Sequence, residues 1–162
     1  MKFMEHKQKN KNRKSVLLIL GILLCTGLVA TILSTAAYGD VVTYRKIATH
    51  THDWYWGNAK IGDTYLEVDW TYRHYYIGHH IVYSDIVNYN TIYVAEKGRI
   101  TISETSTKGV DPIDAPHEYR AWGKTTWTLD VGISHKKAAT YTAIYFTDYG
   151  TYWTEDEWLQ YP

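Results

Sequence analysis

From about residue 40 onward, apolar and polar residues alternate one by one, and this period of two constrains the fold more than any other feature. Residues two apart share one face of a β-strand, whereas an α-helix requires a period of about 3.6. The clearest run covers residues 65–73, where one face would carry Leu66, Val68, Trp70 and Tyr72 and the other Glu67, Asp69, Thr71 and Arg73. The alternation predicts half-buried β-strands and an all-β fold.

Similar alternation predicts further strands over residues 41–47, 81–83, 119–131 and 139–145. Residues 96–99 lie between two apolar runs and predict a hairpin turn, with Gly98 at a positive φ angle. Short strands separated by turns at this spacing are typical of an antiparallel β-sandwich or a small barrel. We predict a single domain of this kind over residues 40–162.

The segments between and after these strands have a different composition. Residues 104–118 are rich in Ser, Thr, Asp and Pro, which predicts one long loop. Pro112, Pro116 and Pro162 all lie outside the predicted strands, as expected for a residue that cannot donate to a sheet. Residues 148–162 mix acidic residues with tryptophan and predict either a short helix or a strand end.

Residues 1–39 have the composition of an export signal. A lysine-rich head, in a style typical of Gram-positive bacteria, precedes an apolar run over residues 16–33 and a small-residue exit. The run is intermediate between a cleaved signal, with about 7–15 apolar residues, and a spanning helix, with about 20. We expect either cleavage after Ala36, Ala37 or Gly39, or an uncleaved anchor. In both cases the domain would lie outside the cytoplasm, because the basic head stays inside.

Charge and cysteine content exclude several classes of partner. The chain has 17 basic and 17 acidic residues, but the first 39 hold six basic residues and only Glu5 among the acids. The remainder therefore has 11 basic against 16 acidic residues, a net charge of −5. An acidic domain without a basic stripe argues against nucleic acid and against electrostatic membrane attachment, leaving membrane contact to the N-terminal segment alone. The single cysteine, Cys25, lies in the apolar run, so the domain must fold without disulfides.

Aromatic residues are concentrated in the exported part, which contains all seven tryptophans and fifteen of the sixteen tyrosines. A domain of this size cannot bury that many rings, so some must face solvent. Two interpretations remain open: cross-strand aromatic pairs that stabilise a sheet, or a surface that stacks on sugar rings. The predicted binding residues cluster where strands end and are Trp54, Tyr55, Trp56, Tyr75 and Tyr76.

The histidines allow a metal site as an alternative. His50 and His52 would share one face of a strand and could offer two imidazoles to one ion. A third ligand could come from His74, His79 or His80. The competing interpretation is a polar strand edge with incidental histidines, and we expect no cofactor.

Evidence for catalysis is sparse in the sequence. Glu67 and Asp69 share a strand face at a spacing that hydrolases use, but acidic residues on an exposed strand also serve solubility. We find no nucleophile elbow, phosphate-binding loop or cysteine nucleophile in the exported part. The prediction is a non-enzymatic protein.

Four segments, in this order, carry a family resemblance: residues 83–85, 98–99, 121–124 and 139–146. Together they resemble the lactococcin 972 type of bacteriocins, over about residues 70–146. The resemblance implies a compact, cysteine-free β-sandwich that binds the lipid-linked cell-wall precursor and blocks septum formation without catalysis. The chain departs from the family pattern in an added section before Trp70 and a tail after Phe146.

Taken together, these features predict a secreted, non-enzymatic protein that binds a cell-envelope component, either a cell-wall precursor or a surface glycan. A bacteriocin-like antibacterial action is one form of this role. The alternative is a membrane-anchored carbohydrate-binding or structural module on the cell surface.

Overall fold

The structure is a computed structural model that describes residues 39–160, with side chains as far as Leu159. The predicted signal or anchor segment lies outside the described residues, except for Gly39. The described range forms seven strands and no helix: β1 (Val41–Trp56), β2 (Ala59–Ile77), β3 (His80–Lys97), β4 (Thr101–Asp114), β5 (Glu118–Asp130), β6 (His135–Thr147) and β7 (Tyr152–Gln160). Within it, accordingly, no helix is long and apolar enough to cross a membrane.

The strands form two antiparallel sheets. Sheet 1 has the order β1-β2-β3 and sheet 2 the order β4-β5-β6-β7, so each strand pairs with its neighbour in the chain. The sheets pack face to face, with β1 against β6 and β7, β2 against β5 and β6, and β3 against β4 and β5. The predicted all-β antiparallel fold is confirmed, and the two-layer arrangement is that of a β-sandwich.

The predicted alternation along β2 places its apolar residues in the core. Leu66, Val68 and Trp70 are fully buried, whereas Glu67 and Asp69 between them lie on the outer face. The core divides into two clusters. One contains Ala48, Leu66, Val68, Trp70, Ile86, Ala121, Ile144 and Phe146, and the other Trp54, Ile61, Trp127, Leu129 and Ala138.

A group of buried threonines adds polar groups to this core. This threonine layer consists of Thr64, Thr125, Thr140 and Thr142, all with 0% exposure. Thr64 and Thr142 lie 3.0 Å apart between their Oγ1 atoms and join sheet 1 to sheet 2. The β-branched threonine suits a strand and also brings a hydroxyl into the interior, where every polar group needs a partner.

The hairpin predicted at residues 96–99 is wrong. β3 and β4 belong to different sheets, and Gly98 lies in the connection that crosses between them. Among the described glycines the positive φ angles belong to Gly57, Gly78, Gly132 and Gly150, not to Gly98. Gly98 is required for space instead, because a Cβ there would collide with the backbone of Lys60. Its N–H donates to the Ile61 carbonyl at 2.8 Å.

The loop predicted over residues 104–118 is also wrong, because most of it forms β4. β4 is an edge strand of sheet 2, and most of its side chains are exposed, which explains the Ser- and Thr-rich composition. Pro112 therefore lies inside a strand, contrary to prediction. An edge strand tolerates proline because one of its sides needs no hydrogen bonds. Pro116 does lie in the turn before β5, and Pro162 lies outside the described residues.

Other predicted boundaries shift without changing the class of fold. The short strands predicted at residues 41–47 and 81–83 are parts of the much longer β1 and β3. Of the two structures considered for residues 148–162, the strand is observed, as β7, and the described part contains no helix.

Candidate functional site

The five aromatic residues predicted to bind a ligand do not form one site. Trp54, Tyr55 and Trp56 end β1, beside the start of β2, and Trp56 pairs with Ala59. Tyr75 and Tyr76 lie at the other end of β2, where Tyr75 pairs with Val41. Trp54 pairs with Gly62, so thirteen residues of β2 separate the first group from Tyr75. At about 3.3 Å per residue, the two groups lie about 40 Å apart.

Their surroundings also differ. Trp54 is a core residue with 2% exposure, and its Nε1 donates to Thr64 Oγ1 at 2.9 Å. Trp56 packs against the same core cluster, whereas Tyr55 is 47% exposed. At the far end, the Tyr75 ring lies 5.4 Å from the Arg73 guanidinium, and the Tyr76 hydroxyl lies 3.3 Å from that of Tyr44. Tyr55 is thus the exposed member of the first group.

A larger aromatic surface lies on the outer face of sheet 2. We call it the aromatic ladder, and it consists of Trp122 on β5, Tyr141 and Tyr145 on β6, and Trp153 on β7. Tyr145 and Trp153 stack with ring centroids 4.9 Å apart and planes inclined by 6°. Trp122 and Tyr141 stack at 6.4 Å and 25°. Because β7 is the edge strand of sheet 2, no other strand of the described range lies beside the face of Trp153 turned away from Tyr145, and Trp153 is 46% exposed.

Small residues let the ladder rings lie close to the sheet. Ala143 pairs with Trp122 and lies on the outer face, because its neighbours Thr142 and Ile144 point into the core. It is nevertheless fully buried. Gly109 on β4 lies under the Trp122 indole, since a Cβ there would come within 2.7 Å of Trp122 Cζ2. Larger residues at these two positions would lift the rings away from the backbone.

Polar groups line the ladder. Arg120 donates to Asp111 Oδ2 at 2.6 Å and lies 5.9 Å from the Tyr141 ring, while Tyr145 donates to Glu155 Oε2 at 2.7 Å. The hydrogen bond from Arg120 is the main cause that lowers the pKa of Asp111, against the opposing effect of desolvation. Burial raises the pKa of Tyr141 to about 12, so this phenol stays neutral at physiological pH.

Within residues 39–159, three polar atoms at the ladder have no hydrogen-bond partner. They are Arg120 Nε, Trp122 Nε1 and the Tyr141 hydroxyl. Trp122 Nε1 is near enough to Asp111 to contribute to its lowered pKa, but the two are not in hydrogen-bonding geometry. All three atoms are buried, so a ligand on the outer surface would contact the exposed ring faces and charged groups of the ladder and not these atoms.

Sequence reasoning missed the ladder although its signal was present. The alternation in residues 119–131 and 139–145 separates the two faces of β5 and β6, but it does not show which face is outward. The decisive observation is that the opposite faces carry core residues such as Trp127 and Ile144.

The predicted histidine pair does lie on one strand face, close to a carboxylate. His50 Nε2 lies 2.5 Å and His52 Nδ1 2.9 Å from Asp156 Oδ2 of β7. The other predicted ligands are elsewhere: His79 and His80 lie at the β2–β3 turn, and His74 is buried against the Asp148 carbonyl. The three groups His50, His52 and Asp156 offer ligand atoms that all lie within 4.8 Å of one another.

A second buried carboxylate resembles a catalytic group but is not arranged as one. Asp148 is 2% exposed, and its Oδ2 lies 2.5 Å from Ser84 Oγ and 2.6 Å from His117 Nδ1. In a hydrolytic triad the histidine lies between the serine and the carboxylate, whereas here both groups contact the same carboxylate oxygen. The arrangement joins strands and turns and does not activate Ser84.

The carboxylates considered for hydrolysis are occupied by neighbours. Asp69 forms an ion pair with Arg45, which lowers the pKa of Asp69, and Glu67 accepts a hydrogen bond from Tyr65. Both lie on the outer face of β2, the central strand of sheet 1. Cross-strand pairing with Arg45 accounts for Asp69, and a contact within β2, with Tyr65, accounts for Glu67.

Comparison with known proteins finds no matching family model, no similar curated protein and no similar solved structure. The resemblance to lactococcin 972 type bacteriocins therefore stays a prediction, and the site has to be argued from its own geometry.

Proposed function

We propose that residues 40–162 form an extracytoplasmic glycan-binding module whose ligand is a cell-envelope glycan held on the aromatic ladder. The observation that carries this proposal is the combination of stacked rings and a part-exposed ion pair, Arg120–Asp111, on one sheet face. Sugars present C–H groups that pack on aromatic rings and hydroxyls that pair with amides, guanidinium groups and carboxylates. The ladder offers both kinds of contact in one place.

Trp153 is the first contact in this proposal. One face of its indole is held by Tyr145, so the ring loses little conformational freedom when a sugar covers the other face. Arg120, Asp111 and Glu155 lie alongside as groups that can bind hydroxyls. The acidic charge of the domain favours a neutral or amino sugar over an anionic polymer.

Co-sedimentation with purified Gram-positive sacculi tests the proposal. We expect the Trp153→Ala variant to bind at least about ten-fold more weakly, a loss of about 1.4 kcal/mol, as for an interface residue that carries much of the binding energy. The matched control is Tyr55→Ala, because Tyr55 is 47% and Trp153 46% exposed, on outer faces of different sheets.

The control also tests the prediction made from sequence. Unchanged binding by Trp153→Ala with loss in Tyr55→Ala would place the site at the end of β1 and contradict our proposal. Equal binding by both variants and the unchanged protein would exclude both surfaces. An antibacterial role, as the resemblance implies, predicts in addition that the protein inhibits growth of neighbouring Gram-positive cells.

A further inference from the structure

We infer that His50, His52 and Asp156 form a binding site for one divalent transition metal ion of the zinc class, which ties β1 to β7. These strands belong to different sheets and lie at the same side of the sandwich. Side chains alone connect them there, since β1 pairs with β2 and β7 with β6. The site is separate from the aromatic ladder, because Asp156 points inward from β7 whereas Trp153 points outward.

The donor set matches zinc chemistry. Imidazole nitrogen and carboxylate oxygen bind Zn²⁺ at about 2.0–2.2 Å, so ligand atoms on a tetrahedral ion lie about 3.3 Å apart. Here both nitrogens already lie against the same carboxylate oxygen, at 2.5 and 2.9 Å, and all three atoms lie within 4.8 Å. Movements of about 1 Å in side chains convert the two hydrogen bonds into three metal bonds. Each imidazole then offers the lone pair of its facing nitrogen, with its proton on the far nitrogen.

An independent observation supports a ligand at this position. Asp156 Oδ1 is buried and has no hydrogen-bond partner among the described residues, and the Asp156 side chain as a whole is 17% exposed. A buried carboxylate oxygen without a partner is costly unless a cation binds it. Oδ1 can serve as a second carboxylate ligand, and the 39% exposure of the His52 side chain leaves room for a water in an open position.

The surroundings hold the ligands in place. The His52 ring lies 4.3 Å from the Trp54 ring, which in turn meets Trp158 of β7 edge to face at 5.5 Å. These indoles close the site toward the core, and Trp54 is fixed by its hydrogen bond to Thr64. Rigid neighbours of this kind keep the ligand geometry and lower the entropic cost of binding.

Calorimetric titration of the full chain with Zn²⁺, purified without a histidine tag, tests the inference. We expect one ion per chain and loss of that binding in the double variant His50→Ala, His52→Ala. The double variant His79→Ala, His80→Ala is the matched control, since those histidines are exposed at the far end of sheet 1. At a Zn²⁺ concentration about 100 times the Kd, the unfolding midpoint should rise by about 5–10 °C.

Asp156→Asn keeps the size of the side chain and guards against a variant that fails to fold. It should weaken Zn²⁺ binding by at least about ten-fold while its circular dichroism spectrum stays that of the unchanged protein. ¹⁵N-labelled histidine should show zinc-dependent shifts at His50 and His52. Unchanged zinc binding in either the Asp156 or the His50/His52 variant, or loss in the His79/His80 control, would overturn the inference, as would the absence of binding. Because Trp153→Ala leaves these ligands intact, it should not alter zinc binding, which separates this test from that of glycan binding.

Discussion

The core cluster around Ile61 and Leu129 contains two buried indoles, and each donates its N–H to a threonine on the neighbouring strand of its own sheet. Trp54 donates to Thr64 and Trp127 to Thr140, both at 2.9 Å. A tryptophan brings a large apolar surface into a core but leaves its N–H in need of an acceptor. The threonine layer supplies that acceptor, so these two indoles are buried with their N–H groups paired.

The Trp127–Thr140 pair gives a test at this scale. Thr140→Val keeps the shape of the side chain but leaves the Trp127 N–H without its acceptor, so we expect the free energy of unfolding to fall by about 1–3 kcal/mol. In a Trp127→Phe background the same change should cost much less, because the donor is absent. Urea denaturation of the four proteins measures the coupling. Equal costs of Thr140→Val in both backgrounds would contradict the assigned hydrogen bond.

At the scale of elements, β4 is the strand that the sequence analysis predicted as a loop. Its residues pair with β5 from Thr101 to Asp114, and no described strand pairs with its other side. Hydrogen–deuterium exchange should therefore give an alternating pattern over residues 103–111, with slow amides where the N–H points to β5 and fast ones where it points to solvent. A mobile loop would exchange quickly throughout, and that result would contradict the strand.

The errors and successes of the sequence-based prediction have a common physical cause. Alternation predicted β2 and β5 well because each lies between two other strands and buries one face. The residue types on the buried and outer faces therefore differ, and this difference is visible in the sequence. β4 is exposed at an edge, where sheet hydrogen bonds impose little on side-chain type, and Pro112 is accepted there. The prediction of a hairpin at Gly98 failed because a turn motif does not show whether the next strand belongs to the same sheet.

The candidate sites could be predicted only in part for a related reason. His50 and His52 share a face through spacing within one strand, which a sequence shows directly. Asp156 joins them through the packing of two sheets, across 104 residues from His52, and no local pattern indicates this. The same holds for the ladder, which combines residues of three strands.

At the scale of the whole molecule, one short connection of the chain joins the two sheets, and Asp148 adds contacts between them at the far end of the sandwich. Asp148 lies in the β6–β7 turn, and its side chain contacts Ser84 of β3 and His117 of the β4–β5 turn. Its carbonyl accepts a hydrogen bond from His74 of β2 at 2.9 Å, and its N–H donates to the His117 carbonyl. This one residue, in the β6–β7 turn, therefore links β2 and β3 of sheet 1 to the β4–β5 turn of sheet 2.

Replacement of Asp148 therefore tests the cooperativity of the fold. Asp148→Ala leaves the buried Ser84 hydroxyl and the His117 ring without their shared acceptor, and we expect a loss of about 2–4 kcal/mol in the free energy of unfolding. The exposed Asp114→Ala, at the end of β4, is the control and should cost less than about 0.5 kcal/mol. Thermal unfolding followed by tryptophan fluorescence and by far-ultraviolet circular dichroism should still give one transition in each variant, since both core clusters draw residues from both sheets. Two separated transitions in Asp148→Ala would mean that the sheets are held together chiefly at this carboxylate, and an unchanged stability would mean that its contacts contribute nothing to their association.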